Sequence, residues 1–485
     1  MKQTRPGSPA DSITEPFSTA TAWTRWRAST TPALRTITLS GPMLKSVKLP
    51  RRENTLWRHP DFMKLWTGQT ISEFGTQFSL IALPLTALYV LHARAFAVAA
   101  LTIFEQLPFL LLALPAGVWV DRLPRRRILV VGDIARALAL ASIPIVYATG
   151  DLHIWQLFAV AFVVGVLTVF FDVAYQSYLP SLVERDQLVE GNSKLQASAS
   201  VAQLAGPGVA GPLIKLVTAP YAILVDVTSF FASSAFVFSI RRPDVAPERQ
   251  EGESAGMRRE LMEGLRYVLR NPHLRAIAAC TANSNFFGNV TFAILFVYFV
   301  RRLDLSATLI GVMLACSNLG LLVGAFTAGW IGRRFRVGRT LLWSAIAVGP
   351  SLLLIPAAPT AFPVPVLVAA LMLFGFSGVV YNITQISLRQ AITPERLQGR
   401  MNSVMRFIVW GVLPLGALLG GLLATTIGLR TTLLIAGIGG SLSWVPIAFS
   451  PVRSLISVPH FEPQPAPTIE PAPVGGIVVG PPADA

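Results

Sequence analysis

The sequence predicts an all-α integral membrane protein: twelve transmembrane helices arranged as two six-helix bundles in parallel repeat. Three observations carry that prediction. Long apolar runs dominate the chain, Lys and Arg are distributed to one side of those runs, and short motifs recur about 210 residues apart.

Of the 485 residues, 53% are hydrophobic and 13% are charged, with a mean hydropathy of +0.57. A soluble domain of ordinary composition carries roughly 25% charged residues, so this surface cannot face water throughout. Apolar runs fall near residues 66–91, 96–120, 128–149, 153–176, 195–218 and 220–240, then near 274–300, 308–332, 339–358, 363–387, 402–427 and 430–450. A helix of about 20 apolar residues crosses the hydrocarbon core, and lipid admits only helices or closed barrels. The runs lack the short alternation of barrel strands, which leaves helices.

The net charge is +15, a value that in a soluble protein would suggest nucleic acid. Its distribution argues otherwise. With both termini placed in the cytoplasm, 32 of the 40 Lys and Arg fall on the inner side and 5 on the outer, while Arg136, Arg275 and Arg406 lie within helices. This is the positive-inside bias, so the charge reports orientation in a cell membrane. Cys280 and Cys316 lie inside expected spans and read as small apolar fillers. No disulfide, metal site or cofactor is expected.

Residues 1–55 are polar, basic and rich in Ser, Thr and Pro, and read as a disordered arm. The first bundle is expected over 56–240 and the second over 274–453. Between them, 241–273 is a cytoplasmic linker whose Met257–Leu269 stretch has apolar residues at helical spacing; it reads as an amphipathic helix on the membrane surface. Residues 454–485 are Pro-rich and are expected to form an extended, disordered tail.

The halves repeat. At an offset of 212, His59-Pro60-Asp61 falls over Asn271-Pro272-His273, and Gly117 over Gly329. At 210, Asp172 falls over Asn382, Asn192-Ser193 over Asn402-Ser403, and Gly206 and Gly211 over Gly416 and Gly421. Six spans per half is an even number, so both halves enter from the same side. That parallel repeat implies a central cavity between halves that opens alternately to each side.

After the second run the chain reads GVWVDRLPRRR, Gly117 to Arg127. Gly117 permits close helix contact, Asp121 accepts charge-assisted bonds or caps a helix, and Arg122, Arg125, Arg126 and Arg127 hold the loop at the inner surface. This loop resembles the hallmark of the major facilitator superfamily, and the resemblance spans roughly residues 56–453. The second-half counterpart, Gly329 to Arg339, has Arg333 where Asp121 would map. LWTGQTISEFG (Leu65–Gly75), GDIARA (Gly132–Ala137) and LVDVTSFFASSA (Leu224–Ala235) resemble the macrolide-efflux and drug:proton antiporter branch, which also contains siderophore exporters. Gly206, Pro207 and Gly211 in AGPGVAG, and Gly416, Gly420 and Gly421 in LPLGALLGG, form a helix-packing motif of small residues and proline. The branch pattern has Asp where this chain has Thr76, so no proton role transfers to that position.

Five acids fall inside expected spans: Glu73, Glu105, Asp133, Asp172 and Asp226, all in the first half. Each is costly, about 2.5–3.5 kcal/mol at mid-helix on insertion scales. Asp133, Arg136 and Asp172 are grouped with Asp121 as an inner-gate charge network. Glu105 lies near mid-bilayer with no basic residue close in sequence. A carboxyl removed from water favours its protonated form, the property a proton carrier uses; Glu105 is therefore the first proton-coupling candidate, followed by Glu73 and Asp226. Gln77 shares a helix face with Glu73, and the offset of 212 sets Asn285 and Asn289 in the matching positions of the seventh span. These three are expected to line the cavity.

The resemblance implies a monomeric secondary transporter that exports amphipathic small molecules in exchange for protons. A dedicated metabolite or siderophore exporter, a lysolipid flippase and a non-transporting receptor or assembly factor remain as alternatives. No nucleotide-binding loop is present, and no nucleophile–base or metal-ligand cluster suggests an enzyme.

Overall fold

The computed structural model describes residues 56–120, 123–184, 187–242 and 257–457. The amino-terminal arm, the first part of the linker, Asp121 and Arg122 of the gate loop, and the tail beyond 457 lie outside the described residues.

The first group of helices is α1 (Pro60–Leu85), α2 (Ala95–Val120), α3 (Arg125–Thr149), α4 (Ile154–Leu182), α5 (Leu188–Val217) and α6 (Ala219–Phe238). After α7 (Met257–Arg270) come α8 (Pro272–Arg301), α9 (Ala307–Phe335), α10 (Val337–Ala357), α11 (Pro363–Ile392), α12 (Glu395–Thr426), α13 (Leu429–Gly440) and α14 (Val445–Ala448). Counting α13 with α14, ten stretches among the described residues are long and apolar enough to cross a membrane. α1 and α5 have comparable lengths, 26 and 30 residues, but carry more Ser, Thr and Gln.

Packing follows one plan twice. α1 lies against α5 and α6, α3 against α4 and α6, and α2 against α4; correspondingly α8 lies against α12 and α13, α10 against α11 and α13, and α9 against α11. Three helix pairs join the groups most closely: α5 with α9, α2 with α12 and, less extensively, α2 with α8. The local backbone repeats as well. His59 caps α1, its Nδ1 accepting from the Phe62 N–H at 3.0 Å, and Asn271 caps α8 by accepting from the His273 and Leu274 N–H groups. Each cap is followed by proline at the first helical position, where its missing N–H costs nothing. His92 and Asp304 both adopt positive φ, 49° and 50°, and the same two turn bonds flank each: the Leu91 and Ala93 N–H groups donate to the Thr86 and Ala87 carbonyls, as those of Leu303 and Leu305 donate to Tyr298 and Phe299. Thr218 (φ 73°) and Gly428 (φ 87°) form another such pair.

Two features differ from expectation and a third adds to it. The run at 430–450 is broken after Gly440, where the chain turns before α14. Asn283 of α8 spans the interruption, donating to the Gly439 carbonyl at 2.9 Å and to Ser443 Oγ at 3.0 Å. The segment Gly329–Phe335 continues α9 rather than forming a loop, and Arg336 alone (φ 66°) turns the chain into α10. Finally, α7 rests on the protein itself: Gly264 faces the Arg400 carbonyl of α12, Glu263 pairs with Arg400, and Tyr267 Oη donates to the Ile392 carbonyl.

The helix ends carrying Lys64, Arg125–Arg127, Arg241 and Arg242 define a basic face. There Asp61 accepts from the Arg241 and Arg242 N–H groups at 3.2 and 3.1 Å, tying α1 to the end of α6. The junctions at His92, Thr218, Asp304 and Gly428 lie at the opposite face.

Candidate functional site

A cavity of about 410 Å³ lies among α1, α2, α3, α4 and α6, with α8 contributing Asn289 and Phe292. Its α1 wall is a helical stripe through Gln69, Ser72, Glu73, Thr76 and Leu80, positions that recur on one face of a helix. Small residues let α6 close behind that stripe: Gly68 meets the Ser233 backbone, and Gly75 meets Ser229 and Asp226.

Four of the five intramembrane acids, Glu73, Glu105, Asp172 and Asp226, line this cavity, whose basic side chain is Arg136. Glu105 is the most open of the five, its side chain exposed to the cavity. It makes no hydrogen bond or ion pair among the described residues. At 1.5 Å per residue it lies about 15 Å into α2, close to the middle of that helix. Glu73 is half-buried and accepts from Gln69 Nε2 at 3.0 Å. Asp226 is buried, accepting from Ser229 Oγ at 3.2 Å and Thr76 Oγ1 at 3.5 Å. Thus an acid from α6 stands beside the hydroxyl at position 76.

Asp133 lies behind the cavity wall, fully buried and paired with Arg136. The Arg136 guanidinium is held between the rings of Phe171 and Phe230, at 4.1 and 4.3 Å from their centroids. Of the expected gate network, then, Asp133 and Arg136 form a pair, while Asp172 sits apart on α4, half-buried and unpaired among the described residues. Gly117 is in the last turn of α2. Arg125 begins α3, and Arg126 donates to the Phe238 carbonyl and lies 5.3 Å over its ring.

Of the three polar residues expected to line the cavity, Asn289 does. Its Nδ2 donates to Gln106 Oε1 of α2 at 3.0 Å and to the Leu413 carbonyl of α12 at 2.5 Å. Gln77 and Asn285 are outside the lining. Gln77 packs its methylenes against Gly206 of α5, and Asn285 donates to the Val409 carbonyl of α12 at 3.1 Å. Sequence reasoning missed Gln106, whose signal was a second polar residue directly after Glu105 in an apolar run.

The packing glycines divide between two tasks. Gly416 and Gly420 meet the Phe286 and Val290 carbonyls of α8. Gly211 meets Gly311 of α9, which also abuts the Pro207 carbonyl, and Gly421 meets Ala99 of α2. These last two contacts join the halves near the opposite face, and they correspond at the offsets of 210 and 212. A second, smaller cavity of about 140 Å³ adjoins the first toward the basic face, between α2, α4 and α12.

The sequence profile of the Major Facilitator Superfamily matches residues 65–414 and, in a second overlapping match, 280–481. The chain belongs to that superfamily. Within it, the macrolide-efflux branch is supported by relatives. The multidrug efflux pump Tap of Mycolicibacterium fortuitum is 28% identical over 360 residues, covering 71% of this chain and 85% of Tap. Macrolide efflux protein A of Streptococcus pyogenes is 25% identical over 381 residues, covering 78% and 92%. Among solved structures, a bacterial homologue of the iron transporter ferroportin in an inward-facing state shares the fold at 17% identity, with a TM-score of 0.64 over 81% of this chain and 99% of that one. The outward-facing state of such a homologue gives 0.53 at 19% identity, over 80% and 98%. Family and relatives are transporters rather than enzymes, and this superfamily member is a multi-pass protein of the cell membrane.

Proposed function

We propose that the chain is a proton-coupled, alternating-access exporter of amphipathic small molecules, working as a monomer with both termini in the cytoplasm. Its twelve spans form two six-helix bundles in parallel repeat, α1–α6 and α8–α14. The duplicated caps, turns and packing plan support that arrangement, and the Lys and Arg distribution supports the orientation. The present state is inward-facing: the glycine contacts close the opposite face, and the smaller cavity extends toward the basic one.

The observation that carries the reading is Glu105, an intramembrane carboxyl open to the cavity with no hydrogen-bond or ion-pair partner among the described residues to hold it ionised. Such a group exchanges its proton for a solute cation without first breaking an internal bond. Glu73 and Asp226, each already hydrogen-bonded, serve as supporting acids. The names of the relatives support drug-like solutes.

The test is transport into inverted vesicles with an imposed proton gradient. The parent accumulates a lipophilic cation in response to the gradient, and Glu105→Gln does not. A Glu105→Gln variant that responds like the parent removes the assignment.

A further inference from the structure

The smaller cavity holds two opposite charges from the two halves. Asp172 enters from α4, and Arg406 from α12. Arg406 is exposed into the slot, and the pair forms no ion bridge; neither has a hydrogen-bonding partner among the described residues. Its guanidinium lies 6.0 Å from the Trp410 ring, and Phe407 and Phe109 complete an aromatic wall. An arginine inside a membrane span that forms no direct ion bridge is costly and marks a functional position.

Depth orders the two cavities. Gly411 of α12 faces Leu110 of α2. From that level Arg406 lies about 7.5 Å toward the basic face and Glu105 about 7.5 Å the other way. A solute coming from the basic face therefore passes Asp172 and Arg406 before it reaches Glu105. Asp172 and Phe109 line both cavities, so the slot is a vestibule to the main one.

The charges decide what the vestibule accepts. A solute that is only cationic leaves Arg406 unmatched and is repelled by it; one that is only anionic meets Asp172 in the same way. A head with both charges matches both residues, and the unmatched charge left by any other solute is what discriminates against it. The aromatic wall receives the apolar body. We infer that this vestibule recognises zwitterionic amphipaths, Asp172 taking the ammonium and Arg406 the carboxylate or phosphate. Bound there, the head bridges α4 of one half and α12 of the other. The inference rests on the exporter reading above and names its solute class.

The test uses the full chain in nanodiscs and three probes with one tail: N-octylglycine, octylamine and octanoate. The parent binds N-octylglycine at least ten times more tightly than either single-charge probe. Arg406→Gln removes the preference over octylamine, Asp172→Asn removes the preference over octanoate, and Arg406→Lys restores part of the first. Because each preference is a ratio measured on one preparation, partial loss of folded protein does not mimic it. Equal binding of the three probes by the parent overturns the inference, as does an equal loss for all three in both variants. Lysophosphatidylethanolamine added to the discs separates the sources of such a head. Displacement of N-octylglycine supports a lipid head, and its absence a water-soluble solute. Gradient-driven N-octylglycine transport, measured in parallel vesicles with and without the protein, tests the exporter reading independently of the binding ratios.

Discussion

Asn289 of α8 donates to Gln106 of α2 across the boundary between the halves, at 3.0 Å, one residue along from Glu105. Interhelical hydrogen bonds in membranes average about 0.6 kcal/mol and reach about 1.7. A double-mutant cycle on Asn289→Ala and Gln106→Ala is expected to give a coupling in that range, read by unfolding in mixed micelles. So small a value lets the bond break and reform as the halves rock. A coupling above about 3 kcal/mol would make it a fixed brace instead.

The Asp133–Arg136 pair is buried, and losing one partner strands the other. Arg136→Leu is expected to lower stability by about 3–5 kcal/mol, and the double change Asp133→Leu, Arg136→Leu by less than Arg136→Leu alone. Thermal unfolding of the purified variants measures the order.

Gly75 packs against Ser229 and Asp226, whereas Gly332 has open space around it. Gly75→Val should therefore cost about 1–3 kcal/mol by forcing α1 from α6. Gly332→Ala should gain about 0.5–1 kcal/mol, because it removes backbone freedom within a helix. The opposite signs, measured in one assay, check that the α1–α6 contact is as close as described.

A Cβ at Gly421 would lie 2.8 Å from that of Ala99, and a disulfide needs about 3.5–4.5 Å, which a small shift provides. In a background with Cys280 and Cys316 replaced by Ala, the Ala99→Cys, Gly421→Cys protein should cross-link on oxidation and stop transporting. Reductant should restore flux. Full transport in the oxidised form would mean that this contact never opens.

An isolated helix of 14 residues, the length of α7, is marginal in water, so α7 depends on its seat at Gly264. A Cβ there would lie 2.8 Å from the Arg400 carbonyl. Gly264→Leu is expected to speed amide exchange in α7 by about tenfold and to leave α13 unchanged.

Much of this was legible in the chain because the bilayer narrows the choices. Apolar runs with polar joints can only become packed helices, and His59 and Asn271 announce their capping roles by standing before proline. Glu105 was legible for a similar reason: a carboxyl in an apolar run has few neutral explanations. Rotation about a helix was harder. Gln77 is one turn from Glu73, yet four residues overshoot a full turn by about 40°, and that moves it onto the α5 contact. Asn285 and Arg406 depended on which helix stands opposite, information carried by tertiary packing alone. Gly439, Gly440 and Pro446 are local signs of the break after Gly440, whereas the Asn283 bond that spans it comes from more than 150 residues away.

The glycine contacts at the opposite face have a mechanical consequence. Gly211 on Gly311 puts nearly bare backbone on backbone, and at Gly421 only Ala99 and the edge of the Phe96 ring intervene, so little interlocks at these two points. Such a seam behaves as a bearing: it resists separation by close dispersion contact but offers little resistance to sliding. Bulk added there would raise the friction of the whole cycle while leaving every group that touches the cargo in its place.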